Sequence, residues 1–359
     1  MLTAVLLVMG VSFDAEAVSV DEMLSEALET DDLERAMPDS AENVLGNMTV
    51  SDGADYKSTF NKVWDYIREN GGRIVRSAFK NASAVLIIAV FTSTVSAAFN
   101  VKNDYTVLAG IAAISAFTVS NASSFIAMGK ETISQLSAFS KALLPTLASA
   151  SAMGGAYTSS GAKYAVSIMF IDILITCSER LIIPIICAYI AAGIGNAALG
   201  GDGLASAVGF LKWLAVTMMT VLMIAFTAFL SITGLISGSV DAVTQRVAKT
   251  AISTVLPVVG SIVSDAAGTM AAGAGMLKNA VGVFGMAAVL AVCAMPFMKI
   301  GAAYLAYKAS AGLAGTVADS RITKLMSSMG TAFGMILGLV GSAAVMVFVS
   351  VILFMKAVT

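Results

Sequence analysis

The sequence contains no histidine. That absence removes Ser-His-Asp and Cys-His nucleophilic catalysis, His-ligated zinc and the ordinary proton shuttle near neutral pH. Cysteine is scarce as well. Cys177, Cys187 and Cys293 sit in apolar runs without CxxC spacing, the setting of buried, unreactive thiols. There is no GxGxxG, no phosphate-binding loop and no carboxylate cluster at metal-ligand spacing. Catalytic, cofactor and metal sites are therefore not expected, nor is a nucleic-acid partner, and any ATP used would be handled by another protein. Charge is the last shortage. Only 12% of residues are Asp, Glu, Lys or Arg, about half the ~25% of an average soluble domain.

What fills the chain instead is apolar: 58% of the 359 residues are hydrophobic. Several stretches of about 18 or more residues carry no charge, enough to cross a hydrocarbon core of about 30 Å as helix. The bilayer is the expected solvent, and the expected fold is all-α, a polytopic membrane helical bundle. The formal charge of -2 hides an asymmetry: residues 18–55 hold 11 acidic side chains and one basic one, Arg35, whereas residues 56–359 hold 10 acidic and 20 basic ones.

Residues 2–11 form an apolar run, and Ala15-Glu16-Ala17 has the small-x-small pattern that signal peptidase accepts. We read 1–17 as a signal peptide; a short uncleaved anchor is the alternative, because the basic start of a typical signal is missing. Residues 18–55 then form an acidic extracytoplasmic segment with little helix of its own. Over 56–80, Phe60, Val63, Trp64, Ile67, Ile74, Val75 and Phe79 recur at helical spacing among Lys57, Lys62, Arg68, Arg73, Arg76 and Lys80. This reads as an amphipathic helix lying flat on the lipid. The basic cluster argues by the positive-inside rule for a cytoplasmic location, the signal sequence for the opposite. The signal sequence is preferred.

Two spans are expected within 81–129, at 82–99 and 105–129. Beyond them the reading is a short span at 142–157, a long broken one at 164–199, a span at 213–236, a second short one at 251–264, a second long broken one at 279–318 and a last span at 330–355. The last carries Gly330, Gly334, Gly338 and Ser342 at every fourth position. Such a small-residue face lets another helix approach closely, either within the chain or from a second copy.

A shift of 112 residues lays Pro145 on Pro257, Ser149 on Ser261, Gly161 on Gly273 and Pro184 on Pro296. This suggests two membrane repeats, 130–242 and 243–359, each with a short and a long proline-broken segment. Paired interrupted segments point to a transporter-like core, with half-helix breaks at Pro145, Pro184, Pro257 and Pro296. Inverted repeats are expected if each short segment crosses the bilayer.

Asp172, Glu179 and Arg180 lie at apparent membrane depth. A charge at the bilayer centre costs about 2.5–3.5 kcal/mol on insertion scales, so each calls for a partner, water or a shallower position. They are candidates for a pore or substrate lining, as is Asp265; a loop at Glu179-Arg180 and a helix end at Asp265 are the alternatives.

Several stretches together resemble a known family. Arg246-Val247-Ala248-Lys249 precedes Leu256-Pro257-Val258-Val259-Gly260, with Asp265 five residues on, and Leu277-Lys278-Asn279-Ala280-Val281-Gly282 follows. With the acidic front segment and the spans, they resemble the stage III sporulation protein AE family over nearly the whole chain. The resemblance implies a multipass component of the channel-like, secretion-like complex that endospore formers build between mother cell and forespore, in the outer forespore membrane. It implies as partners other stage III A proteins, including ring formers and a secretion-type ATPase, and the stage II Q protein across the intermembrane space. An autonomous secondary transporter of a small solute, or a scaffold recruiting ring proteins, are the rival readings.

Overall fold

The computed structural model describes residues 30–54, 56–98, 105–200, 202–255 and 260–356, and over 233–271 only the backbone is considered. The expected signal peptide and Pro257 lie outside the described residues. Two short helices, α1 (Thr30–Arg35) and α2 (Asp39–Leu45), and a 3-10 turn at Ser51–Ala54 precede the long helices. These are α3 (Tyr56–Ala98), α4 (Tyr105–Met153), α5 (Tyr157–Cys177), α6 (Ile183–Leu199), α7 (Asp202–Val255), α8 (Gly260–Ala314) and α9 (Ser320–Met355). No strand occurs among the described residues.

A π turn, Ser178–Ile182, joins α5 to α6. Counting that pair once, six helices are long and apolar enough to cross a membrane. The reason is compositional: proline is rare, and long uncharged runs leave the backbone no partner but itself in lipid. Ends occur where the sequence supplies a stop. Gly155 (φ 98°) turns the chain after α4, and Gly200 (φ 69°) closes α6 with its N–H donating to the Asn196 carbonyl at 3.0 Å. Both are left-handed conformations that glycine tolerates. Asp319 caps α9 by accepting from the Arg321 N–H at 2.8 Å.

Close contacts give the helix directions. Along α9, Gly330 abuts Lys308 and Gly341 abuts Phe297, so α8 runs antiparallel to α9. Lys163 reaches Leu353 while Gly193 abuts Ser328, so α5 and α6 also run antiparallel to α9. The α4 helix runs with α9, Gly129 lying against Ile336 and Ser151 reaching Phe354. Helix α8 is the central element, packed by α3, α4 and α9 and buried along most of its apolar stretch. Phe333 of α9 knits it to α4: its ring meets Phe125 and Tyr307 edge-on, each at 5.0 Å and 85°. Asn121 of α4 donates to the Tyr307 hydroxyl at 3.4 Å.

Four expectations require correction. The segment 56–80 is not a separate helix on the lipid surface; it is the first half of the 43-residue α3. Its stripe divides: Val63, Ile67 and Ile74 continue into Ala78, Ala82, Val85 and Ala89 as one protein-covered seam, while Trp64, Val75 and Phe79 stay exposed. Neighbouring helices thus take the face that lipid was expected to take, and Gly71-Gly72 is helical because packing outweighs glycine's cost of about 1 kcal/mol each.

Second, Pro145 and Pro296 do not create half-helices. Both lie inside unbroken helices, so 142–157 is mainly the end of α4 rather than a span of its own. Third, the corresponding long helices α5–α6 and α8 run in the same direction. An inverted relation between 130–242 and 243–359 would need them to run in opposite directions. Fourth, the acidic front segment is more ordered than its composition suggests. Leu33, Ala41, Leu45, Met48 and Val50 are buried, α2 and the 3-10 turn dock on α8, and Ser40 donates to Gln135 of α4 at 2.6 Å. In that turn Asp52 accepts the Thr49 backbone N–H (2.9 Å) and hydroxyl (3.1 Å), which holds its carboxyl below the usual range.

Candidate functional site

Pro184 follows the π turn after one residue, Ile183, and its ring and missing N–H explain the turn. An α-helical hydrogen bond from residue 184 to the carbonyl of 180 is impossible, and one extra residue per turn relieves the clash. The sequence break at Pro184 is thus a widening rather than an end, and Glu179-Arg180 is neither a loop nor buried. Asp172, Glu179, Arg180 and Pro184 all lie on the exposed face of α5–α6. Asp172 is paired with Lys141 of α4, Nζ to Oδ1 3.2 Å, both side chains about half exposed. Lys141 was not singled out in the sequence because its partner lies 31 residues away on a different helix. The Asp265 side chain is outside the described part.

The depth of these charges becomes clear by comparing helices at one level. Gly71 of α3 stands beside Met298 of α8, and Met219 of α7 beside Gly338 of α9, which is itself level with α8 near residue 300. So the exposed Arg68, Glu69, Arg73 and Arg76 of α3 lie at the same height as the exposed Val216, Val221 and Ile224 of α7. Lys130, Glu131, Lys141 and Asp172 add exposed charge on the α4–α5 part of the perimeter. Among the described residues the bundle is two-faced: charged on α3, α4 and α5, apolar over 213–232 of α7.

The Lys141–Asp172 pair tests which solvent that face meets. An exposed pair in water contributes about 0.2–1 kcal/mol, whereas an orphaned charge in hydrocarbon would cost about 2.5–3.5 kcal/mol. A double-mutant cycle of Lys141→Met and Asp172→Asn, read from thermal unfolding in detergent, is expected to give a coupling below about 1 kcal/mol.

Small residues on α9 serve the α8 contact. A Cβ at Gly330 would lie 3.3 Å from Lys308, and one at Gly334 would lie 3.0 Å from the Tyr304 ring; Gly338 faces Met219 of α7 at 4.0 Å. Lys308 donates to the Ser327 carbonyl and hydroxyl (both 3.1 Å) and to the Thr331 hydroxyl (2.7 Å). At the other end of α9, Ser151 donates to the Phe354 carbonyl and Lys163 to the Leu353 carbonyl, both at 3.4 Å. These capping groups satisfy carbonyls left over at a helix C-terminus. Sequence reading missed them, and their only signal there is a lone lysine in an apolar run. Among the described residues no group of three His, Cys, Asp or Glu could hold a metal.

The family profile described as Stage III sporulation protein AE matches residues 45–358, which takes in every long helix and the charged face. The chain belongs to that family. A curated relative, Stage III sporulation protein AE of Bacillus subtilis (strain 168), is 24% identical over 183 residues, 51% of this chain and 46% of the relative. The chain thus spans about half the length of the curated relative it matches. No solved structure matches. In this AE family member the stretch 277–282 that carries the resemblance lies near the start of the buried part of α8, where Lys278 and Val281 are buried. Membership implies a role in sporulation, and the six helices make the chain a multipass membrane protein.

Proposed function

We propose that the chain forms part of the wall of an aqueous conduit in the membrane complex joining mother cell and forespore. The observation that carries this reading is the two-faced bundle: at one depth, α7 presents Val216, Val221 and Ile224, and α3 presents Arg68, Glu69, Arg73 and Arg76. Hydrocarbon suits the first face and excludes the second. A bundle placed between lipid and water satisfies both, with several copies or partner proteins closing the ring. In this reading Lys141, Asp172, Glu179 and Arg180 belong to the wetted side, and the chain moves nothing by its own chemistry. Other stage III A proteins, including ring formers and a secretion-type ATPase, and the stage II Q protein are the proposed partners, and the outer forespore membrane the location. The transporter reading loses its main support, since Pro145 and Pro296 open no half-helix site.

The test uses a cysteine-free chain, with Cys177, Cys187 and Cys293 replaced, in sporulating cells. Arg73→Cys and Arg76→Cys are expected to react with a bilayer-impermeant maleimide, and Val221→Cys to stay unreacted. Equal protection at all three positions would refute an aqueous face. Orientation has its own expected result. Six crossings put residues 30–54 and the end of α9 on one side, and we assign that side to the space between the two membranes. A reporter active only in the cytoplasm should therefore stay silent both at Gly53 and at the C-terminal end. Activity at both positions would invert the topology, and activity at one alone would break the six-crossing count.

A further inference from the structure

Between α7, α8 and α9 lies a groove of about 800 Å³, open to the side and lined mainly by apolar atoms. It lies on the apolar side of the bundle, away from the charged face of α3. Two lysines line it, Lys308 of α8 and Lys212 of α7, and no acidic residue does. Lys308 is held in place by Ser327 and Thr331. Lys212 is exposed, has no acidic partner among the described residues, and immediately precedes the uncharged stretch 213–236 of α7. From that lysine end the groove follows α9 from Thr331 to Ser342. Eleven residues of helix are about 17 Å, close to the ~15 Å of one leaflet's hydrocarbon.

We infer that this groove holds one anionic phospholipid of the bilayer, its phosphate between Lys212 and Lys308 and an acyl chain along Met219, Gly338 and Gly341. The charge argument names the occupant. Two cations at the mouth of an apolar trough, without a carboxylate to neutralise them, match a negative headgroup on a hydrocarbon tail. A zwitterionic lipid brings its own cation to the same point and gains less. A hydrophobic helix of another protein would fill the trough but bring no negative charge to the two lysines. The small residues have a consequence here as well: Gly334, Gly338 and Gly341 put no side chain of their own into the groove, between Thr331, Met335, Leu337 and Ser342, which deepens the trough for a chain.

The sequence supplies its own probe. Trp64 and Trp213 are the two tryptophans, and Trp213 is exposed beside Lys212. With Trp64→Phe, a substitution at an exposed site on α3, all tryptophan emission of the full-length chain comes from the groove mouth. The protein is reconstituted in phosphatidylcholine vesicles containing increasing fractions of either dibrominated phosphatidylglycerol or dibrominated phosphatidylcholine. The brominated anionic lipid is expected to reach half-maximal quenching at a fraction at least about five-fold lower, the preference one lysine confers near an anionic headgroup. Lys212→Glu, an exposed change that leaves the core intact, is expected to abolish the preference, and Lys308→Gln to reduce it. Equal quenching by the two lipids, a Trp213 protected from both, or a preference that survives Lys212→Glu would each overturn the assignment. The two experiments fail separately: reactivity at Arg73→Cys and Arg76→Cys reports the α3 face, whereas lipid selectivity at Trp213 reports the α7 groove.

Discussion

Phe333→Ala is expected to destabilise the protein by about 3–5 kcal/mol, the range for truncating a buried aromatic side chain. The residue is fully buried on α9, and its ring is the meeting point of α4 and α8 through Phe125 and Tyr307. Removing it leaves a void bounded by two rings that cannot both move in, because Tyr307 is held by Asn121. Edge-to-face pairs add about 0.5–1.5 kcal/mol each beyond area burial, so the upper part of the range is expected. Fluorescence-detected size exclusion of detergent-solubilised protein after a temperature series measures it. A midpoint within about 2 °C of the parent would contradict the three-helix junction, since a loss of several kcal/mol moves the midpoint of a chain this size by more than that.

Gly334→Leu is the second large effect, and it acts by overpacking. The Cβ alone would stand 3.0 Å from the Tyr304 ring, a rigid neighbour on α8, so the ring or the helix must give way before the rest of the leucine can turn toward the groove. Inserting methylenes into a packed contact costs about 1–3 kcal/mol, and more where the backbone must shift. The control is Gly312→Leu on α8, where nothing lies within 4 Å of an added Cβ. There the better helix propensity of leucine is worth up to ~1 kcal/mol, so that variant should be unchanged or slightly more stable. If both variants behaved alike, the glycine face would not be serving the α8–α9 contact, and self-association through α9 would become the better account. Cross-linking between copies at Ser342→Cys would then be expected.

Lys141 and Asp172 show where reading residues singly falls short. The aspartate stands out in the sequence because Ile168, Met169 and Phe170 precede it and Ile173, Leu174 and Ile175 follow. Its meaning changes once α4 is placed beside α5: it is one of a pair on an exposed face, level with the basic residues of α3. Similarly, Lys212 attracts no notice at the start of an apolar span until Lys308 is seen to line the same groove.

The sequence alone determined that the chain is helical, that its long runs are apolar enough for a bilayer, and that histidine chemistry is not open to it. Those conclusions follow from composition and run length, which act locally: uncharged stretches must satisfy their own backbone hydrogen bonds, and a missing histidine is missing in any fold. It also marked the glycine face of α9, because a period of four places residues on one side of any helix. Only the tertiary structure decided what Pro145, Pro184 and Pro296 do, because neighbouring helices hold Pro145 and Pro296 in continuous segments, while the π turn absorbs Pro184. Only it decided what covers the α3 stripe. Amphipathicity specifies that a face must leave water, and either lipid or α8 can meet that demand; side-chain fit along Val63, Ala78, Ala82 and Val85 chose α8. The relative heights of the helices were likewise invisible in the sequence. Hydropathy gives each span its own length but no register against the next, so the charged half of α3 came to stand level with the apolar face of α7 through packing alone.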